Sequence, residues 1–160
     1  MPDDVPAILG LIAELAAFEH LSAQMEATEE RLRRHLFGPR PAAECWVAEV
    51  DGVVVAYAIF FHNFSTFLAQ PGLYLEDVYV QPAFRGRGIG GALLRALGRL
   101  AVERGCGRFE WTVLDWNEGA IRFYRGLGAA ALPDWRVCRM EGETLRAFGE
   151  GAGPKVSGRA

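Results

Sequence analysis

The chain has 160 residues, of which 51% are apolar and 23% are charged, and its net charge is −3. This length and composition are typical of one globular domain with its own hydrophobic core. The acidic balance excludes the basic surface that nucleic-acid-binding domains carry. No apolar run reaches the roughly 18 residues that a membrane-spanning helix needs. We therefore expect neither a nucleic-acid partner nor membrane association.

Cysteine usage and the N-terminus bear on the cellular compartment. Cys45, Cys106 and Cys138 are an odd number of thiols without a CxxC pair, a pattern that argues against a disulfide framework and against a zinc site. The chain opens with Met1-Pro2-Asp3-Asp4, which is acidic where a secretory signal is basic. We expect no metal and a cytoplasmic location.

The first part of the chain predicts two helices. Apolar side chains between Val5 and Ala16 recur on one helical face, and the acidic residues just before them can cap the helix. A second helix is expected from about Glu29 to Phe37, with Thr28 as its N-cap and a Gly-Pro pair at its end.

Strand patterns come next. Cys45–Val50 and Val53–Phe61 are joined by Asp51-Gly52, a favoured two-residue hairpin turn. The stretch from His62 to Gly72 is predicted as a loop, and Tyr74–Val80 as a third strand.

The second half alternates between helix and strand. Its predicted elements are a helix over about Ile89–Arg104, a strand over Arg108–Leu114, a helix over Asn117–Arg125, and short strands around Ala129 and over Arg136–Glu141. The order predicts a mixed α/β (α+β) fold with a partly antiparallel sheet. We expect a single domain over residues 1–148 and a disordered glycine-rich tail over residues 149–160.

The segment Arg85-Gly86-Arg87-Gly88-Ile89-Gly90-Gly91 separates the third strand from the long helix. Glycine permits positive φ angles and close approach of the backbone to a ligand. The first amides of a helix are unpaired and lie at the positive end of its dipole. The segment therefore predicts an anion site for a pyrophosphate, to which the two arginines can add charge.

Several ligands compete for this glycine loop. A P-loop would need Lys followed by Ser or Thr, and neither is present. Gly86-x-Gly88-x-x-Gly91 formally matches a dinucleotide fingerprint, but no acidic residue ends the next strand at the required spacing. The string Arg85-x-x-Gly88-x-Gly90 fits coenzyme A, and a tight turn without a ligand is the remaining alternative.

Two further strings narrow the choice. Asn117-Glu118-x-Ala120-Ile121-x-Phe123-Tyr124, followed by a Gly126-x-Gly128-Ala129 turn, resembles a segment of the GNAT acetyltransferases. Leu73-Tyr74-Leu75-Glu76-Asp77-Val78-Tyr79-Val80, with Leu15-Ala16-Ala17-Phe18-Glu19 and Trp135-Arg136, is similar to the diamine (spermidine/spermine) acetyltransferases and their bacterial relatives. The resemblance spans about residues 4 to 145. It implies the GNAT fold, a mostly antiparallel sheet flanked by helices, and a homodimer.

The implied reaction is direct acetyl transfer from acetyl-CoA to a primary amine of a small molecule. Alkyl amines are protonated near pH 7, so a carboxylate must accept a proton before the nitrogen attacks, and Glu76 is the candidate. Alternation along the strand places Glu76 and Asp77 on opposite faces of the sheet. The leaving thiolate needs a proton, and Tyr124 matches the general acid of the family.

The resemblance also implies which residues bind each substrate. Backbone groups near Val78 would polarise the thioester oxygen and pair with the pantetheine arm. The implied contacts of acetyl-CoA are Val78, Tyr79, Val80, Arg85, Gly86, Arg87, Gly88, Ile89, Gly90, Gly91, Asn117, Gly119, Ala120 and Tyr124. The implied acceptor-binding residues are Phe18, Glu19, Glu76 and Asp134.

The chain departs from the family pattern at its beginning. GNAT folds start with a strand, whereas here helical periodicity begins almost at Met1, so we expect the first edge strand to be missing. Two other functions stay open: acetylation of another amine (an amino-acid analogue, a drug or a protein N-terminus), and a non-catalytic module that binds acyl-CoA.

Overall fold

The computed structural model describes residues 1–151. Two compact units are present, Met1–Leu114 and Asp115–Ala160. The first unit contains α1 (Val5–Phe18), α2 (Glu29–Phe37), β1 (Glu44–Val50), β2 (Val53–Ser65), β3 (Gln70–Val80), α3 (Ile89–Glu103) and β4 (Arg108–Trp111). The second contains α4 (Glu118–Gly126) and α5 (Gly142–Glu150). A single domain over residues 1–148 stays a prediction.

The sheet has the strand order β1-β2-β3-β4. The first three strands pair antiparallel, and β3 pairs with β4 in parallel. A parallel pair needs a crossover connection, which α3 supplies. The predicted mixed, mostly antiparallel sheet is confirmed. Within residues 1–151 no strand precedes α1; a short 3-10 turn over Pro2–Asp4 leads into it instead.

Most predicted elements of the first unit form where the patterns indicated. Thr28 caps α2, and its side-chain oxygen accepts a hydrogen bond from the Arg31 amide at 3.2 Å. The core on one face of the sheet joins Leu11 of α1 and Leu36 of α2 to Tyr57 of β2, among other residues. Leu11 is almost fully buried, and shortening such a core leucine to alanine costs roughly 2–5 kcal/mol.

A β-bulge interrupts the pairing of β2 with β3. Ile59 lies opposite Asp77 while Phe60 lies opposite Leu75, so Glu76 is the extra residue on β3. A bulge bends its strand and breaks the regular alternation of side chains. The prediction that alternation places Glu76 and Asp77 on opposite faces of the sheet is therefore wrong, since both residues line one pocket.

The predicted loop over residues 62–72 is a longer hairpin. β2 continues to Ser65 and β3 begins at Gln70. The sequence concealed these extensions because His62 and Asn63 interrupt the apolar pattern and because Gly72 lowers strand propensity. A Cβ at Gly72 would lie 2.2 Å from Oδ1 of Asn63, so any larger residue there would displace the Asn63 side chain. At the other end of the sheet β4 stops at Trp111, before the predicted end at Leu114.

The two strands predicted around Ala129 and over Arg136–Glu141 were wrong. No strand occurs within residues 115–151, and the side chains of Trp135 and Val137 are 76% and 70% exposed. An alternating pattern becomes a strand only where a neighbouring strand completes its hydrogen bonds. The helix α5 was not predicted from the sequence. It includes Gly149 and Glu150 of the predicted disordered tail, and residues 152–160 of that tail lie outside the described residues. Across residues 1–151 we find no helix with the length and apolarity of a membrane span.

Candidate active site

Glu76 and Asp77, at the bulge of β3, line a cavity of about 360 Å³ in the first unit. Apolar side chains of α1 form part of its wall, and two further carboxylates, Glu19 and Glu26, also face it. No Arg, Lys or His is among its described lining residues, which are Ile12, Leu15, Ala16, Glu19, Leu21, Gln24, Met25, Glu26, Ala27, Glu76 and Asp77. The cavity is therefore an acidic pocket with apolar sides.

The charges of this acidic pocket are only partly compensated. Glu26 is paired with Arg31, whose guanidinium lies 3.1 Å from the carboxylate. Within the described residues Glu19, Glu76 and Asp77 form no ion pair. A cation entering the pocket would thus meet three uncompensated carboxyl groups.

Asp77 is the most perturbed acid of the pocket. Its pKa is raised to about 6, mainly by burial and also by the negative charges of Glu76 and Glu19. Burial also raises the pKa of Glu19. A carboxyl group that titrates close to neutral pH can accept a proton and release it again, so Asp77 joins Glu76 as a candidate base. The family resemblance pointed to Glu76 alone. The placement of Asp77 in the same pocket depends on the bulge, which arises from pairing with β2.

The glycine loop follows the C-terminal end of β3. Gly86 and Gly88 have φ angles of 76° and 80°, in the left-handed region that favours glycine. Gly88 is the N-cap of α3, and its carbonyl accepts the Ala92 amide at 2.9 Å. The amides that precede Ala92 in this first turn have no partner within the helix and lie at the positive end of its dipole. This geometry fits a diphosphate.

The edge of β3 next to this loop is open. Pairing with β4 ends at Leu75 and Trp111, so the following residues of β3 face no strand on that side within residues 1–151. The Gln81 amide donates to Val55 of β2, and alternation therefore directs the backbone groups of Val78 and Val80 to the open edge. An extended ligand could pair there as an added strand.

In the second unit, Asn117 and Tyr124 lie on or beside α4. The Asn117 side chain caps this helix by accepting the Ala120 amide at 3.1 Å. Tyr124 is half-buried, and its ring centroid lies 5.5 Å from that of Phe123. Gly119 lies in the first turn of α4, whereas Asp134 is an exposed turn residue.

Comparisons with known proteins identify the family. The model of the "Acetyltransferase (GNAT) family" matches residues 12–129. The chain belongs to the GNAT acetyltransferases. It is 39% identical to thialysine N-epsilon-acetyltransferase of Bos taurus, over 89% of this chain and 90% of that protein. It is 34% identical to L-ornithine N5-acetyltransferase of Arabidopsis thaliana, over 92% and 84% of the two chains.

Solved structures agree with this assignment. A ribosomal-protein-alanine N-acetyltransferase from Brucella melitensis is 26% identical and has a TM-score of 0.67, covering 88% of this chain and 95% of its own. An integron cassette protein of V. cholerae is 25% identical with a TM-score of 0.76, over 94% and 91% of the two chains. This GNAT acetyltransferase therefore has the fold of its family as well as the sequence.

GNAT acetyltransferases use acetyl-CoA as co-substrate, and the first unit has features that fit it. The left-handed glycines and free amides at the start of α3 suit the diphosphate, and the open edge at Val78 and Val80 suits the pantetheine arm. No cluster of His, Cys, Asp and Glu able to hold a metal ion is present in residues 1–151.

Arg85 and Phe18 of this acetyltransferase have surroundings that the sequence did not indicate. Nε of Arg85 donates to the Val80 carbonyl at 2.9 Å, and its guanidinium lies 5.4 Å from the ring centroid of Phe18 and 5.3 Å from that of Tyr79. Phe18 does not line the acidic pocket. The guanidinium of Arg87 lies 5.1 Å from the ring centroid of Phe84. Phosphate contacts of the two arginines stay predictions.

Proposed function

We propose that this GNAT acetyltransferase acetylates a primary amine of a small molecule that carries a second positive charge and no carboxylate, a diamine or polyamine. The observation that carries the proposal is the acidic pocket, in which Glu19, Glu76 and Asp77 are uncompensated and no basic side chain is among the described lining residues. Its apolar wall suits the methylene chain that separates two ammonium groups.

Charge gives this pocket a preference among amines. A second ammonium group about 5 Å from a carboxylate gains about 3 kcal/mol at an effective dielectric constant near 20. A substrate carboxylate at the same distance loses a similar amount. Because the affected acids include Asp77, whose pKa burial already raises to about 6, a cation in the pocket would also favour the ionised form of that acid.

The proposed chemistry is direct transfer. Glu76 or Asp77 accepts a proton from the ammonium form of the acceptor, and the neutral nitrogen attacks the thioester carbonyl. A nitrogen–carbon bond forms, the carbon–sulfur bond breaks, and the departing thiolate takes a proton from the phenol of Tyr124. The nitrogen loses its second proton as the amide forms, and that proton restores the phenol. The Val78 amide is the proposed donor to the carbonyl oxygen as negative charge develops on it.

Replacement of Tyr124 by phenylalanine tests the proposed acid. The change removes only the hydroxyl, so we expect turnover to fall about 100-fold while the dissociation constant of CoA stays the same. Phe123→Leu, on the neighbouring position of α4, is the matched control for disturbance of the helix. Turnover of Tyr124→Phe within threefold of the parent enzyme would remove this residue from the chemistry.

A second candidate acceptor is an amino acid with a side-chain amine. Two relatives are named for thialysine and ornithine, which carry a carboxylate. Arg31, paired with Glu26 beside the acidic pocket, is the cation that such a carboxylate could meet. The arrangement favours an amino-acid acceptor only if the ion pair between Arg31 and Glu26 breaks when the substrate binds.

An acceptor panel distinguishes these functions through release of free CoA thiol. The panel contains spermidine, putrescine, thialysine, ornithine, an aminoglycoside and a peptide with a free N-terminus, with a sample lacking amine as the blank. We expect the diamines and polyamines to give the highest kcat/KM. Fastest turnover of ornithine or thialysine would select the second candidate, and thiol release no faster than the blank for every amine would reject amine acetylation.

We also propose that the enzyme is a cytoplasmic homodimer. The family resemblance supports the dimer, and the three free cysteines, Cys45, Cys106 and Cys138, are compatible with a reducing compartment. Light scattering during size-exclusion chromatography tests the dimer. A mass near the 17.6 kDa of one chain would reject it.

A further inference from the structure

Glu14 is a partly buried carboxylate on α1 that contacts the end of β3. Its Oε2 accepts a hydrogen bond from the Tyr79 hydroxyl at 3.1 Å, and its Oε1 accepts one from Nε2 of Gln81 at 2.8 Å. Tyr79 is buried, and burial together with the bond to Glu14 raises the pKa of its phenol. One acid thus holds two residues that flank Val80, where the strand ends.

These two residues are connected directly to the glycine loop. The Tyr79 ring lies against the guanidinium of Arg85, whose Nε donates to the Val80 carbonyl at 2.9 Å. The Gln81 carbonyl accepts the Phe84 amide, also at 2.9 Å. Gly86, the first left-handed residue of the loop, comes directly after Arg85. A displacement of Tyr79 or Gln81 would therefore move the start of the loop.

We infer that Glu14 is a positioning residue for coenzyme A binding, although it lies on α1 and outside the glycine loop. It fixes Tyr79 and Gln81, these fix Val80 and Arg85, and the backbone amides that follow are held in place for the diphosphate. Charge-assisted hydrogen bonds are stronger than neutral ones, so a carboxylate suits this task. The inference concerns coenzyme A alone and holds whichever amine is the acceptor.

If Glu14 had only a structural role, its replacement would lower the stability of the protein. The test must therefore distinguish an effect on CoA affinity from an effect on folding. Glu44 provides the matched control. Its carboxylate forms two hydrogen bonds with Arg104 and connects β1 to the end of α3, away from the glycine loop. Glu44→Ala and Glu14→Ala each remove a carboxylate that joins two elements, but only the second removes one that contacts Tyr79 and Gln81.

The experiment measures the dissociation constant of CoA by titration calorimetry and, on the same samples, the melting temperature without ligand. Loss of both hydrogen bonds in Glu14→Ala is expected to raise the dissociation constant about tenfold. Glu14→Gln keeps acceptor capacity and should stay within about threefold, because the Gln81 amide can rotate to match it. Glu44→Ala should lower the melting temperature while leaving CoA affinity unchanged. Equal CoA affinity in Glu14→Ala and the parent enzyme would overturn the inference, as would an equal loss in Glu44→Ala.

Two smaller changes keep the test decisive if Glu14→Ala does not fold. Tyr79→Phe removes one hydroxyl but keeps the ring beneath Arg85, and Gln81→Met removes the amide at similar volume. Each breaks one of the two bonds to Glu14 and should weaken CoA binding about threefold. Unchanged affinity in both variants would overturn the role of Glu14.

Discussion

The bulge in the interior of β3 and the glycine loop after its last residue favour ligands of opposite charge by different means. At the bulge, side-chain carboxylates at Glu76 and Asp77 face a pocket suited to a cation. After Val80, the positive potential comes mostly from the main chain: left-handed glycines and the unpaired amides at the start of α3. In the proposed function, residue type thus recognises the cationic acceptor, and backbone conformation recognises the anionic donor.

This difference determines which substitutions matter in the acidic pocket and which matter in the glycine loop. A conservative exchange of acid for amide keeps the shape of the acidic pocket but removes its charge. At the glycine loop the side chains contribute less than the backbone, so the damaging change is the addition of a Cβ where φ is positive.

The double variant Glu76→Gln/Asp77→Asn should lose the most activity. Both candidate proton acceptors become neutral amides of the same size, so we expect kcat/KM for the amine to fall about 100-fold or more. The dissociation constant of CoA should stay unchanged, because the glycine loop is untouched. The two single variants show which acid accepts the proton. A double variant that keeps a tenth of the parent kcat/KM would mean that neither does.

Asp77 should also make stability depend on pH. Its pKa is about 6 in the folded protein against an ordinary value of 3.8, so between these values the folded state binds this proton more tightly than the unfolded chain. The free energy of unfolding therefore falls as the pH rises through this window, by roughly 2 kcal/mol.

Asp77→Asn isolates that contribution from the other titrating acids. Thermal or urea unfolding of the two proteins at about pH 4.5 and about pH 7.5 gives the difference. We expect the variant to gain stability relative to the parent at the higher pH and to differ little at the lower. Parallel pH curves for the two proteins would show that Asp77 has an ordinary pKa.

In the glycine loop, Gly88→Ala should weaken CoA binding and also lower the free energy of unfolding. Alanine at a φ of 80° costs roughly 1–2 kcal/mol, and relief of that strain would move the first amides of α3. Gly98→Ala is the control in the same helix, because open space surrounds that position and alanine favours helix over glycine by about 1 kcal/mol. Calorimetry should show about tenfold weaker CoA binding for Gly88→Ala. Gly98→Ala should bind CoA as tightly as the parent enzyme. The same affinity in both variants would contradict recognition by the loop backbone.

The smallest effect is expected for Glu19→Gln, on the wall of the acidic pocket. Loss of one partly screened charge should raise the KM of the amine about threefold and leave kcat close to that of the parent enzyme. Glu49→Gln, an exposed position on β1, is the control for net charge. An unchanged KM would show that Glu19 does not contribute to acceptor binding, which would then depend on Glu76 and Asp77.

The conformation of the glycine loop was easier to predict from the sequence than the make-up of the acidic pocket, for a physical reason. Positive φ is a property of glycine itself, so Gly86 and Gly88 reveal the loop without knowledge of the fold. The pocket depends on a bulge at Glu76, which arises from the pairing of β3 with β2 and leaves no trace in residue type. The same dependence made the strand over Arg136–Glu141 wrong, because its alternation required a neighbour. Glu14 could have been noticed as a lone acid in an apolar helix, but its partners are more than 60 positions away.

The acidic pocket is proposed to select cations without a carboxylate, and two matched pairs of acceptors measure that selection. Putrescine and L-ornithine differ by one α-carboxylate, as do cadaverine and L-lysine, so the ratio of kcat/KM within each pair isolates the effect of that group. At saturating acetyl-CoA we predict that the diamine exceeds its amino acid about tenfold or more in both pairs. A ratio of one or below in both pairs would contradict the account and identify the enzyme as an amino-acid acetyltransferase.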